Sequence, residues 1–226
     1  MAEREILALG GSGETEEENE RLARYVVGLT GKERPRVLLV PTAAADDAAG
    51  IVRFYARYGR VSEPAHLPFF PWPPADTRDL ILAQDLVFVG GGNTANMLAI
   101  WRVHGFDLIL REAWESGIVL AGWSAGMICW FEAGVTDSFG PQLEGMRDGL
   151  AFLPGSACPH YDGEEHRRPR YRQLVADGFP VGIAADDGVG VRFSGTEIAE
   201  VVSVREGAAA YRVDAAGESQ LPTRAI

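Results

Sequence analysis

The stretch "GIVLAGWSAGM", residues 117–127, decides how this chain is read. Its first half is an apolar run of buried-strand character, and Ser124 stands between Gly122 and Gly126 where that run ends. A serine between two glycines at a strand-to-helix junction fits a sharp turn. The glycines relieve backbone crowding and the hydroxyl projects at the carboxyl end of a sheet. The Ala125 amide and the start of the following segment can then face developing negative charge. The segment "AGMICWFEAG" after the serine is expected to be the helix of this unit.

Working outward, strands and helices alternate. "EILALGG" (5–11), "PRVLLVPTA" (35–43) and "DLVFVGGG" (85–92) read as short buried strands. Between and after them, 14–31, 46–59, a segment from Asn93 and 105–117 read as helices, the first acidic in its opening turns and closed by glycine. The proline-rich 64–76 holds a short strand at most. Nearly continuous apolar strands in such alternation predict a mostly parallel sheet with helices on both faces. After about residue 180 the pattern becomes β-rich, with short runs separated by Gly and Ser, and suggests antiparallel strands on the same sheet or its edge. No repeat or linker interrupts the chain, so one domain over 1–226 is expected.

Composition narrows the function. With 226 residues, 46% hydrophobic and a formal net charge of −11, the chain has no basic footprint for nucleic acid or an anionic membrane. The N-terminal stretch lacks a basic region followed by a long apolar core, and no apolar run reaches membrane-spanning length. A cytoplasmic protein is expected. Cys129 and Cys158 form neither a CxxC pair nor a disulfide framework and read as small buried side chains. There is no HExxH or other metal-ligand cluster, so neither a metal nor a cofactor is expected.

A serine nucleophile needs a base. Of the four histidines, His66 lies in the proline-rich stretch, His104 precedes Gly105 in a helix-ending context, and His166 sits among charges. His160, in "GSACPHYDGEEHRRPRY", opens a loop after an apolar run and is the candidate base. Gly90, Gly91 and Gly92 end a strand just before a helix, where glycines present backbone N–H groups able to form half of an oxyanion hole. That run fits neither a P-loop nor the dinucleotide fingerprint. An α/β-hydrolase would also place a serine on such a turn, but its histidine normally comes much later than His160 does here.

Together "GGGNT", "GWSAG" and "PHYDGE…RRPRY" closely resemble the peptidase E and cyanophycinase family of serine peptidases, over most of the chain. The resemblance implies a three-layer, class I glutamine amidotransferase-like α/β fold, with serine in place of the cysteine nucleophile. It implies Ser124 as nucleophile, His160 as base, and Gly91 or Gly92 with Ala125 as oxyanion-hole amides. For the third triad member it points to Asp137. Glu132 and Glu144 are the other candidates, and Asp162 lies very near His160 in sequence. Glu132 falls roughly 12 Å along a helix from Ser124 at about 1.5 Å per residue, too far unless that helix stops early. Asn93, Thr94, Tyr161, Asp162, Arg168 and Arg170 are the expected substrate contacts. An arginine among Arg167, Arg168, Arg170 and Arg172 would hold an acidic group bidentately. The expected substrate is a short peptide, with Asp-X dipeptides as the family's example, and the expected state is a monomer or homodimer. A non-catalytic ligand-binding protein of the same fold and a general esterase are the alternatives.

Overall fold

The fold was analysed in a computed structural model, which describes residues 4–226. In chain order its elements are β1 (Glu5–Leu9), α1 (Glu16–Gly28), β2 (Arg36–Val40), α2 (Ala48–Tyr58), β3 (Glu63–His66), α3 (Thr77–Leu82), β4 (Leu86–Val89), α4 (Thr94–Val103), α5 (Phe106–Glu115) and β5 (Val119–Trp123). There follow α6 (Ala125–Ile128), β6 (Phe131–Thr136), β7 (Glu144–Met146), β8 (Leu153–Cys158), α7 (Arg167–Ala176), β9 (Gly182–Ala185), β10 (Val189–Ser194), β11 (Glu197–Ser203), β12 (Ala210–Asp214), β13 (Gly217–Gln220) and β14 (Arg224–Ala225).

An eight-stranded sheet runs in the order β14-β11-β10-β1-β5-β4-β2-β3. Its β1, β5, β4, β2 and β3 are parallel, and β10 joins β1 antiparallel. The period-two alternation of a strand shows how this half is buried. Leu7, Leu9, Val37, Leu39, Leu86, Phe88, Val119 and Ala121 pack beneath α1 and α2, against Leu22, Val26, Phe54 and Tyr58. The intervening Ile6, Ala8, Leu38, Val40, Val87, Val89 and Leu120 pack against Met97, Leu98, Trp101, Phe106 and Leu110 of α4 and α5. Both faces of β1, β2, β4 and β5 are therefore apolar, which is why these runs read as continuous. Thr15 caps α1 in a reciprocal pair with Glu18, the kind of N-terminus that stabilises a helix by roughly 1 kcal/mol.

The β-rich end is more than an edge of this sheet. Six strands form a second sheet in the order β13-β12-β9-β8-β6-β7. Phe131, Leu153, Ala157 and Ile183 of this sheet share a core with Val189, Val191 and Phe193 of β10. Tyr171 and Val175 of α7 cover other residues of it, among them Ala133, Val135 and Ala184. The helix expected over "AGMICWFEAG" stops at Ile128, and Phe131 onward pairs with β8 as β6. A run this rich in bulky residues serves a buried strand as readily as a helix, and pairing with a distant strand decides between them.

Candidate active site

The turns after β1, β2, β4 and β5 open at one end of the parallel strands, the usual place for a ligand crevice in such sheets. There Gly11, Ser12, Pro41, Ala44, Gly90, Gly91, Trp123 and Ser124 line a cavity of about 530 Å³, together with His160 and residues of α1 and α2.

Ser124 occupies the sharp junction of β5 and α6 with φ 55° and ψ −114°, a conformation rare outside glycine. Packing holds it there. A Cβ at Gly122 would lie 2.7 Å from the Val89 carbonyl oxygen, and one at Gly126 would lie 2.3 Å from it. Glycine on both sides thus lets β5 and α6 close against β4, and the turn follows from that approach. The Ser124 carbonyl accepts from Met127 and Ile128, whereas the Ala125 and Gly91 amides have no acceptor among the described residues. Gly91 is beside the serine: a Cβ there would sit 3.2 Å from Ser124 Cβ. Gly92 is turned elsewhere, at φ 137° and tight against Ala43, and it does not line the cavity. Of the two glycine amides expected for an oxyanion hole, Gly91 is the one at the cavity.

His160 follows β8 and belongs to the second sheet's side of the cavity. Its Nδ1 lies 2.6 Å from Oδ1 of Asp187, a residue in the turn between β9 and β10. Topology explains the pairing. β8 and β9 are parallel neighbours, with Cys158 opposite Ala184, so His160 and Asp187 leave the sheet side by side. β9 then passes into β10, which pairs with β1 of the first sheet, so the turn also abuts the loop after β1. The His160 backbone amide donates to the Gly10 carbonyl at 3.2 Å. With the carboxylate at Nδ1, the Nδ1–H tautomer is assigned and Nε2 is left with its lone pair. No hydrogen bond joins His160 to Ser124 directly, although both face the cavity.

Asp137 therefore does not orient His160. It is exposed in the turn after β6, beside Ser138, whose carbonyl accepts from Asn93. Glu132 lies on β6 and binds the Gly155 amide at 3.0 Å, and Glu144 is exposed on β7. Asp187 was missed because "AADDGVG" looks like an ordinary turn. An acidic pair closing an apolar strand was the only local signal.

Of the expected substrate contacts, none lines the cavity. Asn93 caps α4 through the Asn96 amide, and Thr94 is buried. Tyr161 is buried with its hydroxyl on Glu218. Asp162 holds the turn that carries Asp187: its Oδ1 accepts from the Asp187 amide at 2.9 Å and its Oδ2 from Arg205 at 2.7 Å. Arg205 also binds the Asp187 carbonyl at 2.9 Å. The arginines after His160 are engaged elsewhere. Arg167 is buried on Glu164 and the Val135 carbonyl, Arg168 and Arg172 face Glu218, and Arg170 binds the Leu143 carbonyl. α7 packs on the second sheet through Tyr171 and Val175, and none of these charges lines the cavity.

His66 meets the Tyr55 hydroxyl at 3.0 Å and His104 ends α4. Cys129 and Cys158 are buried, and burial raises the thiol of Cys158 to about 12. Among the described residues no group of three or more His, Cys, Asp or Glu side chains is placed to hold a metal ion. No helix among them is long and apolar enough to cross a membrane.

Ser124 on its strained turn and His160, held by Asp187, share one cavity of a two-sided α/β sheet, an arrangement that fits a serine-type peptidase. The chain belongs to peptidase family S51, whose model matches residues 6–201. It is 46% identical over 213 residues to the uncharacterized peptidase YgaJ of Bacillus subtilis (strain 168), covering 93% of this chain and 92% of that one. A shorter match, 37% over 91 residues, relates it to peptidase E of Shewanella amazonensis, with 38% of this chain and 37% of that protein aligned. In fold it resembles the crystal structure of a peptidase from an acI-B1 Actinobacterium, with a TM-score of 0.69 and 19% identity over 97% of this chain and 94% of that one. A putative peptidase E from Listeria monocytogenes EGD-e gives a TM-score of 0.64 at 16% identity, over 87% and 97% of the two chains.

Proposed function

We propose that this peptidase hydrolyses short peptides through a Ser124–His160–Asp187 triad and an acyl-enzyme. The observation that carries the reading is the pairing of His160 Nδ1 with Asp187, which leaves Nε2 free in the cavity that Ser124 enters from its strained turn. His160 takes the Ser124 proton as the hydroxyl attacks the peptide carbonyl. The Gly91 and Ala125 amides, unpaired among the described residues, receive the oxyanion. His160 then protonates the leaving amine, and water, activated by the same nitrogen, releases the acid. Asp187 fixes the tautomer and stabilises the imidazolium. Proton transfer in this scheme requires the Ser124 hydroxyl and His160 to come into hydrogen-bonding contact, and such contacts commonly tighten in the substrate complex.

The test is labelling with a fluorophosphonate and intact-mass detection. One phosphonyl group on Ser124, absent in Ser124→Ala, is expected. Ser124→Ala is expected to abolish turnover of a dipeptide library while the fold persists. An unreactive Ser124, or a variant that still cleaves peptides, overturns the reading. Turnover of p-nitrophenyl esters without turnover of any peptide favours an esterase instead.

A further inference from the structure

α2 contributes a wall to the cavity that also holds Ser124 and His160. Gly50, Arg53, Phe54, Arg57 and Tyr58 recur on α2 at three- and four-residue spacing, so one face of that helix lines the cavity. Its apolar members join Leu39 and Trp123, and Phe54 stacks on Tyr58 at 4.4 Å. The two arginines add positive charge to this otherwise apolar wall.

Arg57 is the better fixed of the two, with its side chain only 15% exposed. Nε and Nη2 bind the two oxygens of Glu16 at 3.2 and 2.9 Å, and Nη1 makes no hydrogen bond among the described residues. Glu16 is itself 68% exposed, so water screens much of its charge. Arg53, one turn earlier, has Asp47 at 3.7 Å as its nearest carboxylate. Asp47 Oδ2 is already committed to the Gly50 amide at 2.7 Å as the α2 cap. A held guanidinium with an open edge, beside a second one that is exposed, suits a carboxylate.

We propose that Arg57, with Arg53 at the rim, forms a carboxylate-binding subsite of this cavity. It takes either the C-terminal carboxylate or an acidic side chain of the peptide whose carbonyl reaches Ser124. The inference rests on the peptidase reading for the identity of the ligand. Its test is chosen to stand apart from catalysis.

Binding is measured by calorimetry on Ser124→Ala protein with three probes: Asp-Phe, Asn-Phe and Asp-Phe amide. One of the two neutral replacements is expected to weaken binding about tenfold or more, and which one tells whether side chain or C-terminus is read. Arg57→Met should remove that discrimination, Arg57→Lys should restore part of it, and Arg53→Met should reduce it. Glu16→Gln separates binding from structure. It breaks the same ion pair as Arg57→Met, yet frees the guanidinium, so carboxylate probes should bind as well as before or more tightly. If Glu16→Gln weakens binding as Arg57→Met does, the pair is only structural and the proposal fails. Equal affinity for the three probes, discrimination that survives Arg57→Met, or no binding of any probe also overturns it. Failure of Ser124 to react with the phosphonate leaves these outcomes unaffected and counts against the catalytic reading alone.

Discussion

Substituting Gly11 by alanine tests the triad without touching any of its members. A Cβ at Gly11 would stand 1.8 Å from Asp187 Oδ1, 2.9 Å from its Cγ and 2.9 Å from His160 Nδ1. Real Cβ contacts essentially never fall under 3.0 Å, so the carboxylate has to retreat by more than about an ångström. Gly163 shows the same closeness on the other side: a Cβ there would meet Asp187 Oδ2 at 2.2 Å, so the carboxylate is packed between two glycines. Rotating one short side chain costs the fold little. Gly11 is not among the residues with positive φ, so alanine fits its backbone and Tm should move by only a few degrees. Catalysis is another matter. The 2.6 Å contact that fixes the His160 tautomer is lost. Misplacement by about 1 Å is worth around a hundredfold, and loss of the acid's orienting role in a triad around ten-thousandfold. Gly11→Ala should therefore lower kcat/KM by about 10² to 10⁴, or roughly 3–5.5 kcal/mol of transition-state stabilisation. The assay is a cycle with Asp187→Ala on a cleaved peptide. If alanine acts by displacing the carboxylate, the double variant is about as impaired as Asp187→Ala alone. A Gly11→Ala enzyme keeping most of its kcat/KM, or two losses that multiply, would refute the argument. Multiplying losses would mean that the new methyl only obstructs the cavity.

Asp187→Asn should lower kcat by about 10³ to 10⁴, whereas Asp137→Asn should stay within about threefold of the parent, measured on the same peptide. The reverse order would restore Asp137 to the triad. Asp162→Ala removes the acceptor of the Asp187 amide and one partner of Arg205, and is expected to reduce kcat about ten- to hundredfold, with Asp162→Asn retaining more. Asp186 gives a stability prediction. Burial pushes its carboxyl up to about 6, against the pull of the Ala209 amide that donates to it. The folded state then holds the proton more tightly than the unfolded chain does. The stabilising contribution is full below about pH 4 and is lost as pH rises through about 6. The difference in Tm between wild type and Asp186→Asn should change across that window and level off above it. A difference constant from pH 4 to 7 would contradict the assignment.

Much of the molecule was legible in the chain itself, because the signals are local. Apolar runs of strand length, helices closed by glycine and glycines at strand ends specify the alternating half, and the two faces of β1, β2, β4 and β5 are filled as their continuous hydrophobicity requires. Ser124 between two glycines defined its own turn, since the steric demand of packing β5 and α6 against β4 is written at positions 122 and 126. The rest depended on which distant segments meet. Residues 125–134 suit either a helix or a strand, and pairing of β6 with β8 chose the strand after Ile128. Asp187 stands beside His160 because β8 and β9 are parallel neighbours and β10 crosses to β1, a register no periodicity encodes. The arginines after His160 were expected to meet the ligand for their closeness in sequence, yet α7 aims them at Glu218 and Leu143, while Arg53 and Arg57 come to the cavity from a helix more than a hundred residues earlier. Sequence determined the turn that carries Ser124 and the frame that presents it. Strand pairing and helix packing, which set long-range neighbours, decided which carboxylate meets His160 and which charges reach the cavity.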